Sequence, residues 1–132
     1  MSLTGTLGLA AYRVAGHLAG PFVRRKLRRR AEIGKEDPNR IAERLGRTSL
    51  CRQGGPLVWI HAASVGESLA TLPLIDDAHR RYPAVRILLT TGTVTSAAVL
   101  KSQLPPFVVH QYAPVDLPAA AQRFLDHWKP DA

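Results

Sequence analysis

A glutamate stands where a strand pattern gives way to a helix pattern, and its carboxylate can act as a proton acceptor. The apolar run Leu57–Ala63, with its β-branched and aromatic members, predicts a buried strand. Small residues including Gly66 then lead into a helical pattern that begins near Glu67. At such a junction the free N–H groups and positive dipole end of the helix hold a carboxylate ionised beside a crevice. An ionised carboxylate in that place can accept a proton from a substrate hydroxyl.

Two interpretations of Glu67 stay open on the residues alone, because any first-turn glutamate can also serve as a helix cap. Ser64 and Gly66 are expected to shape the same loop, the glycine by permitting close approach of the backbone. Ser64 is not predicted to be a hydrolase nucleophile, since the Gly-x-Ser-x-Gly elbow is absent. His61, near the end of the strand, is expected to be packed or hydrogen-bonded rather than catalytic.

Small and hydroxylated residues also follow the second predicted strand, Arg86–Thr91. The residues predicted to bind polar groups of an acceptor substrate there are Thr91, Gly92, Thr93 and Thr95. Thr93 is in addition a plausible cap for the helix that follows. In open α/β sheets ligands bind beyond the carboxyl ends of the strands. We therefore expect this loop and the Glu67 loop to border one crevice.

The elements that must position these loops alternate between strand and helix from Pro56 onward. The predicted strands are Leu57–Ala63, Arg86–Thr91 and Phe107–Gln111, and the predicted helices are Glu67–Arg81, Val94–Gln103 and Leu117–Trp128. Repeated units with apolar strands predict a parallel, doubly wound sheet. In the usual order the first strand lies beside a fourth strand, which would begin at Lys129–Ala132. Pro73 is expected to disturb its helix.

Residues 1–33 predict a basic amphipathic helix at a membrane surface. One face at helical spacing carries Leu3, Leu7, Ala10, Val14, Leu18 and Phe22. Arg13 interrupts the apolar run, and an arginine near the middle of a spanning helix costs roughly 2.5–3.5 kcal/mol. We therefore expect the helix to lie in the membrane interface rather than to cross it. Pro21 is expected to kink or restart the helix.

The formal net charge of +8 is concentrated just after this apolar face. The basic block consists of Arg24, Arg25, Lys26, Arg28, Arg29 and Arg30. Such a block attracts phosphate on lipid, nucleic acid or substrate, although a solvated helix end is the alternative. An apolar face beside a polybasic segment is the two-signal arrangement that holds proteins on anionic leaflets. Because no helix-turn-helix pattern or aromatic platform accompanies the block, nucleic acid is not the expected partner.

Composition excludes several other classes of site. A chain of 132 residues has room for one domain, and Cys51, its only cysteine, rules out an internal disulfide and a cysteine-based zinc site. Phosphate-loop, dinucleotide-binding and metal-ligand spacings are missing from the sequence, so no metal or cofactor is predicted. The polar residues 34–55 include Asp37–Arg40, predicted to start a short helix that Gly46 stops.

The segments Trp59–Ala62 and Ser64–Glu67 resemble the N-terminal domain of the 3-deoxy-D-manno-octulosonic acid (Kdo) transferases of lipopolysaccharide synthesis. The resemblance continues at Glu43–Gly46, Thr90–Ser96, Tyr112–Pro118 and Arg123–Leu125. These blocks occur in the family's order and spacing, and they cover the chain from about Lys35 to its end.

The resemblance implies the GT-B architecture, in which two Rossmann-like domains face each other. Residues 34–132 would form part of the domain that holds the lipid A precursor, and a C-terminal domain, absent here, would hold the donor CMP-Kdo. Glu67 matches the family's general base for an inverting, metal-independent transfer. The implied location is the cytoplasmic face of the inner membrane, with anionic lipids as partners of residues 1–33. The chain alone is expected to be inactive.

Two function classes other than an enzyme stay open. In a non-catalytic membrane-surface module, Glu67 would only cap its helix and the arginines would only bind anionic lipid. In a nucleic-acid-binding fragment, the arginines would give a salt-dependent affinity for duplex over anionic vesicles.

Overall fold

Strands and helices alternate through most of the computed structural model, which describes residues 3–132, with side chains from residue 5 onward. Its elements are α1 (Leu3–Glu32), α2 (Ile41–Arg44), β1 (Leu57–Ala62), α3 (Val65–Arg81), β2 (Arg86–Thr91), α4 (Val94–Lys101), β3 (Val108–Tyr112) and α5 (Pro118–Trp128). The first two residues of the predicted membrane segment and the side chain of Leu3 lie outside this description.

Within the described residues, the strands form a parallel sheet in the order β1-β2-β3. Leu57 pairs with Arg86 and Ile87 pairs with Val108, so the three strands end at one edge. The predicted α/β, Rossmann-like parallel sheet preceded by an N-terminal helix is confirmed.

The apolar core occupies both faces of this sheet. On one face, Ile75 of α3 and Leu100 of α4 are fully buried in a cluster with Leu89 of β2. On the other face, Phe124 and Trp128 of α5 pack on strand residues. β2 is therefore covered on both sides, which explains its continuous run of apolar and small residues.

The last described residues lie along the free edge of β1, where the sequence predicts a fourth strand. The Asp131 N–H donates to the carbonyl of Leu57 (2.8 Å), and the Trp59 N–H donates to the carbonyl of Ala132 (2.7 Å). An Asp131 carboxylate oxygen also accepts from the Leu57 N–H (2.8 Å). The strand that leads into the Glu67 loop is thus held on both sides at its beginning.

Both prolines expected to disturb their helices lie inside continuous helices, so α1 does not restart at Pro21. Pro21 lies within α1 and Pro73 within α3. Both side chains are exposed. The carbonyl that each proline leaves without an N–H partner can therefore be hydrated, and packing elsewhere along the helix outweighs the lost bond.

Helix α1 docks against the beginning of α5, next to the carboxyl end of β3. A Cβ at Gly16 would overlap the ring of Pro118, so glycine permits this close approach. The Tyr12 hydroxyl donates to Asp116 (2.6 Å), and that carboxylate raises the pKa of Tyr12. Asp116 therefore pairs with α1 and does not cap α5, whose N-cap residue is Leu117.

Candidate active site

The Glu67 side chain is fixed at the N-terminus of α3, above the end of β1. Ser64 is the N-cap residue, and its hydroxyl accepts from the Glu67 N–H (3.1 Å). In return, Glu67 Oε2 accepts from the Ala63 N–H (2.7 Å). This exchange resembles a capping box, which holds the chain in its sharp turn from strand to helix.

The same geometry leaves half of the carboxylate available for chemistry. Glu67 is exposed, and its Oε1 accepts no hydrogen bond from any group that the structure describes. One oxygen therefore orients the side chain while the other faces solvent at the carboxyl edge of the sheet. Capping and proton acceptance are compatible here, because they use different oxygens.

The loop after β2 contains the other residues predicted to bind an acceptor, and they differ in how they are placed. Thr91 is fully buried, and its hydroxyl contacts His110 Nε2 (3.0 Å), so it stabilises the sheet interior. Thr93 is exposed and caps α4, as expected, by accepting from the Ser96 N–H (3.1 Å). Gly92 is half-buried and Thr95 is exposed, so both stay accessible at this edge.

A hydrogen-bonded group joins β1 to the end of β2. The indole N–H of Trp59 donates to the Thr90 hydroxyl (2.9 Å), and that hydroxyl lies 3.0 Å from His61 Nδ1. The Thr90 hydroxyl oxygen, with two lone pairs and one proton, thus links the Trp59 indole to the His61 imidazole. The expected hydrogen-bonded role of His61 is confirmed.

Sequence reasoning missed a network that fixes the carboxyl end of β3. The Arg40 guanidinium forms two 2.8 Å bonds with Glu43, and Glu43 in turn accepts from the Tyr112 N–H (2.8 Å). Arg40 also lies over the ring of Tyr112, 4.6 Å from its centroid. Burial, and secondarily the charge of Arg40, lowers the pKa of His110 to about 4. The block Glu43–Gly46 was noted in the sequence as part of the family resemblance. The sequence did not predict that Glu43 would contact Arg40 and Tyr112.

A second network ties α1 to the loop after β3. Glu36 is buried and pairs with Arg30 at the end of α1 (3.2 Å) and with Arg44 of α2 (3.4 Å). Arg44 also donates to the carbonyl of Ala113 and accepts from the Val115 N–H through its own carbonyl. Arg30 thus forms an ion pair with Glu36 inside the protein. The other members of the basic block, Arg24, Arg25, Lys26, Arg28 and Arg29, are exposed.

The outward face of α1 is apolar and open to solvent. Leu7, Val14, Leu18 and Phe22 are 60–79% exposed, whereas Leu27 on the inward face is buried. Among residues 3–132, no helix is both long enough and apolar enough to span a bilayer. No cluster of three or more His, Cys, Asp or Glu side chains in that range could hold a metal ion.

Comparison with known proteins agrees with the earlier resemblance. Residues 39–132 match the family model described as 3-deoxy-D-manno-octulosonic-acid transferase (kdotransferase). The chain is 42% identical, over 92% of its own length and 27% of the relative's, to a probable mitochondrial 3-deoxy-D-manno-octulosonic acid transferase of Arabidopsis thaliana.

Bacterial relatives give the same result. A 3-deoxy-D-manno-octulosonic acid transferase of Rickettsia bellii is 43% identical over 75% of the chain and 24% of the relative. That of Haemophilus influenzae is 38% identical over 69% of the chain and 22% of the relative. The comparison with solved structures gave no match. The chain spans about a quarter of the length of these relatives. With a family model covering most of its residues, it belongs to the 3-deoxy-D-manno-octulosonic acid transferase family.

Proposed function

We propose that this chain is part of the acceptor-binding half of a Kdo transferase and that Glu67 is its general base. The donor would be CMP-Kdo, bound by a C-terminal domain of the GT-B type, and the acceptor a lipid A precursor. The observation that carries the proposal is the Glu67 carboxylate, held by the Ala63 N–H through one oxygen while the other is open. Its place at the carboxyl edge of a parallel sheet is where α/β folds bind ligands.

The proposed step is a single displacement with inversion. Glu67 Oε1 accepts the proton of an acceptor hydroxyl as that oxygen bonds to the anomeric carbon of Kdo. The bond from this carbon to the CMP phosphate breaks, and CMP leaves with the electron pair. Holding the carboxylate by one N–H and by the α3 N-terminus fixes its direction before the acceptor binds, which reduces the entropy cost of reaching reactive geometry.

The position of α1 supports an acceptor that is delivered from a membrane. The contacts of Tyr12 with Asp116 and of Gly16 with Pro118 hold α1 beside the carboxyl end of β3, the edge that also carries Glu67. The exposed apolar row of α1 would enter the interface, and the exposed arginines beside it would bind anionic headgroups. We therefore propose peripheral association with the cytoplasmic face of the inner membrane.

Two measurements test whether this chain binds the acceptor while a C-terminal domain binds the donor. Titration of CMP-Kdo into the purified chain is expected to show no specific binding, because donor recognition is assigned to the C-terminal domain. Adding in trans the remainder of a bacterial relative, from the end of the matched region onward, should restore Kdo transfer to a lipid A precursor. Tight donor binding by the chain alone, or a complemented pair that binds donor and acceptor without transfer, would contradict the proposal.

A non-catalytic membrane module is the second candidate, and the 71% exposure of Phe22 together with the capping bond of Glu67 favours it. In that case the complemented pair would bind anionic vesicles but would not transfer Kdo. Vesicle binding without transfer would support this second function.

A further inference from the structure

Strand β1 is the point at which the chain reverses the direction in which it builds the sheet. β2 and β3 are added on one side of β1. Residues 131–132 then return to its other edge, where they hydrogen-bond to Leu57 and Trp59. In parallel α/β sheets such a reversal opens a crevice beyond the carboxyl ends of the strands, and ligands bind there. The carboxyl end of β1, where Glu67 is held, is therefore the place at which a substrate is expected.

His61 is a second side chain with chemical capacity at this end of β1. It is the penultimate residue of the strand, and its side chain is exposed. Ala63, whose N–H holds the Glu67 carboxylate, follows two positions later. Two residues of extended chain span roughly 6–7 Å. The His61 backbone and the Glu67 carboxylate are thus separated by a distance that a single sugar residue can bridge.

The imidazole of His61 is fixed although it is exposed. Its Nδ1 lies 3.0 Å from the hydroxyl of Thr90, which is fully buried and pairs with His61 in the β1–β2 register. The same hydroxyl accepts from the indole N–H of Trp59 (2.9 Å). An exposed side chain without such a partner exchanges between rotamers, whereas here a buried group sets the direction of the ring. The imidazole is thereby pre-organised for a partner outside the protein.

The other ring nitrogen of His61, Nε2, has no hydrogen-bond partner within residues 5–132 and is accessible on the exposed ring. Depending on the tautomer, Nε2 carries either a proton or a lone pair. A hydroxyl can pair with both forms, because it donates and accepts, whereas an ionised carboxylate only accepts. A sugar hydroxyl is therefore a partner that suits Nε2 in either tautomer.

We propose that His61 Nε2 binds a second oxygen of the acceptor sugar while Glu67 deprotonates the first. This inference rests on the proposed transfer function, and it makes the acceptor a polyol that is held at two oxygens. In an inverting displacement the base and the nucleophile lie on the face of the reacting carbon opposite the leaving group. A residue beside the base therefore contacts the acceptor rather than CMP. Thr90 acts through His61 and is a positioning residue.

Binding of the acceptor to the 132-residue chain tests this contact without requiring transfer. Titration with a lipid A precursor in detergent micelles should shift the Nε2 resonance of His61 in proton–nitrogen correlation spectra of the histidine rings. His61→Ala should raise the dissociation constant of the acceptor about fivefold to tenfold, the effect of one lost hydrogen bond. His61→Gln, whose amide both donates and accepts, should recover most of the affinity. His127→Ala, in the last turn of α5, is the matched control and should bind normally.

Kinetics of the chain complemented by the remainder of a relative test the positioning role of Thr90. Thr90→Val keeps the shape of the side chain but removes the hydroxyl, so it should lower kcat/KM for the acceptor about fivefold. Thr90→Ser should restore it. In the His61→Ala background, Thr90→Val should cause no further loss, because both substitutions remove the same contact. Equal losses in the two backgrounds would show that Thr90 has only a structural role.

The binding and kinetic measurements separate this contact from the transfer function itself. Equal acceptor dissociation constants for His61→Ala and His127→Ala, or an Nε2 resonance that the acceptor leaves unmoved, would overturn the proposal even if the complemented enzyme transfers Kdo. Weaker binding by His61→Ala in a complemented pair that does not transfer Kdo would contradict the role of Glu67 and still support the His61 contact.

Discussion

At the scale of single residues, the carboxyl edge of the sheet depends on side chains that hold one another in place. Glu67 is held by Ala63 and Ser64, which are near it in the chain, so its placement follows from local rules for strand-to-helix turns. Arg40 and His110 are 70 positions apart, and only the folded chain brings them together. Local placement was predictable from the sequence, whereas this long-range pair was not.

Thr91 shows the same limit. Its position at the end of a predicted strand suggested a crevice residue, but both faces of β2 are covered, and its side chain is directed to His110. Whether the last residue of a strand is buried depends on the elements that pack against it. The spacing of residues along that strand does not predict those elements. Thr93 could be predicted, because a helix cap depends on the next three residues only.

The lowered pKa of His110 predicts how stability changes with pH. The folded value is about 4, below the ordinary value of 6.5, so between them the unfolded chain binds more protons. The contribution of His110 to the free energy of unfolding should therefore be fully present above pH 6.5. It should decrease as the pH falls toward 4, by up to about 3 kcal/mol. Urea unfolding at a series of pH values measures this, with His110→Gln as the comparison.

The variant His110→Gln keeps an acceptor for Arg40 but does not titrate. Its stability should therefore change less than that of the unaltered chain between pH 7 and 5, above the range where most carboxylates protonate. Parallel pH profiles for the two proteins would contradict the assignment.

At the scale of elements, alternation of apolar strands and helical patterns was enough to place the sheet. The six elements predicted after Pro56 are all present, with bounds that differ by at most two residues. The continuation of α1 through Pro21 and of α3 through Pro73 was not predictable, because the cost of a proline depends on whether the freed carbonyl reaches water. Both prolines are on exposed faces, a property of packing rather than of local sequence.

Two glycines in α1 test its docking on α5. Gly16 contacts Pro118, whereas a Cβ at Gly20 would meet nothing within 4 Å. Gly20→Ala should stabilise the chain by roughly 0.5–1 kcal/mol through helix propensity. Gly16→Ala should instead weaken docking, loosen the Tyr12–Asp116 hydrogen bond and expose Leu27, as hydrogen exchange of α1 would show. Equal effects of the two substitutions would contradict the proposed contact.

A substitution at Gly46 tests the turn that ends α2 and packs against α5. It adopts a φ of +77°, and a Cβ there would overlap the Ala120 carbonyl, so Gly46→Ala meets both backbone strain and a clash. We expect a loss of at least about 2 kcal/mol in unfolding free energy. Gly54→Ala, which meets nothing within 4 Å, should be nearly neutral in the same denaturant titration. A small effect at Gly46 would mean that α2 and α5 do not pack as described.

At the scale of the whole molecule, α1 has two opposite faces with different surroundings. Its inward face, with Leu27, is part of the folded body, and its outward face exposes Leu18 and Phe22. The sequence predicted the outward row correctly as exposed apolar surface on a helix. It did not reveal the inward face, which depends on small contacts such as Gly16 with Pro118.

The outward face predicts binding to anionic vesicles. Phe22→Glu should reduce affinity for phosphatidylcholine vesicles containing phosphatidylglycerol by at least about tenfold, since it removes a large apolar side chain and adds repulsion. Leu74→Glu changes a comparably exposed residue on α3 and is the matched control. Co-sedimentation at several salt concentrations measures both. Equal losses would argue against a membrane-facing α1.

The central claim is that the open oxygen of Glu67 removes a proton from the acceptor, and one comparison tests it most directly. In the chain complemented by the remainder of a relative, Glu67→Gln retains an oxygen that can accept from the Ala63 N–H but no longer acts as a base. Ser64→Ala removes the cap at a cost of about 1 kcal/mol in stability while leaving the carboxylate.

The measurement is the rate of Kdo transfer from CMP-Kdo to a lipid A precursor by these two variants under saturating substrates. We predict that Glu67→Gln lowers the rate by about 10²–10⁴-fold with little change in stability, whereas Ser64→Ala stays within a few fold of the unaltered chain. Transfer by Glu67→Gln at the rate of the unaltered chain would show that Glu67 is only a cap.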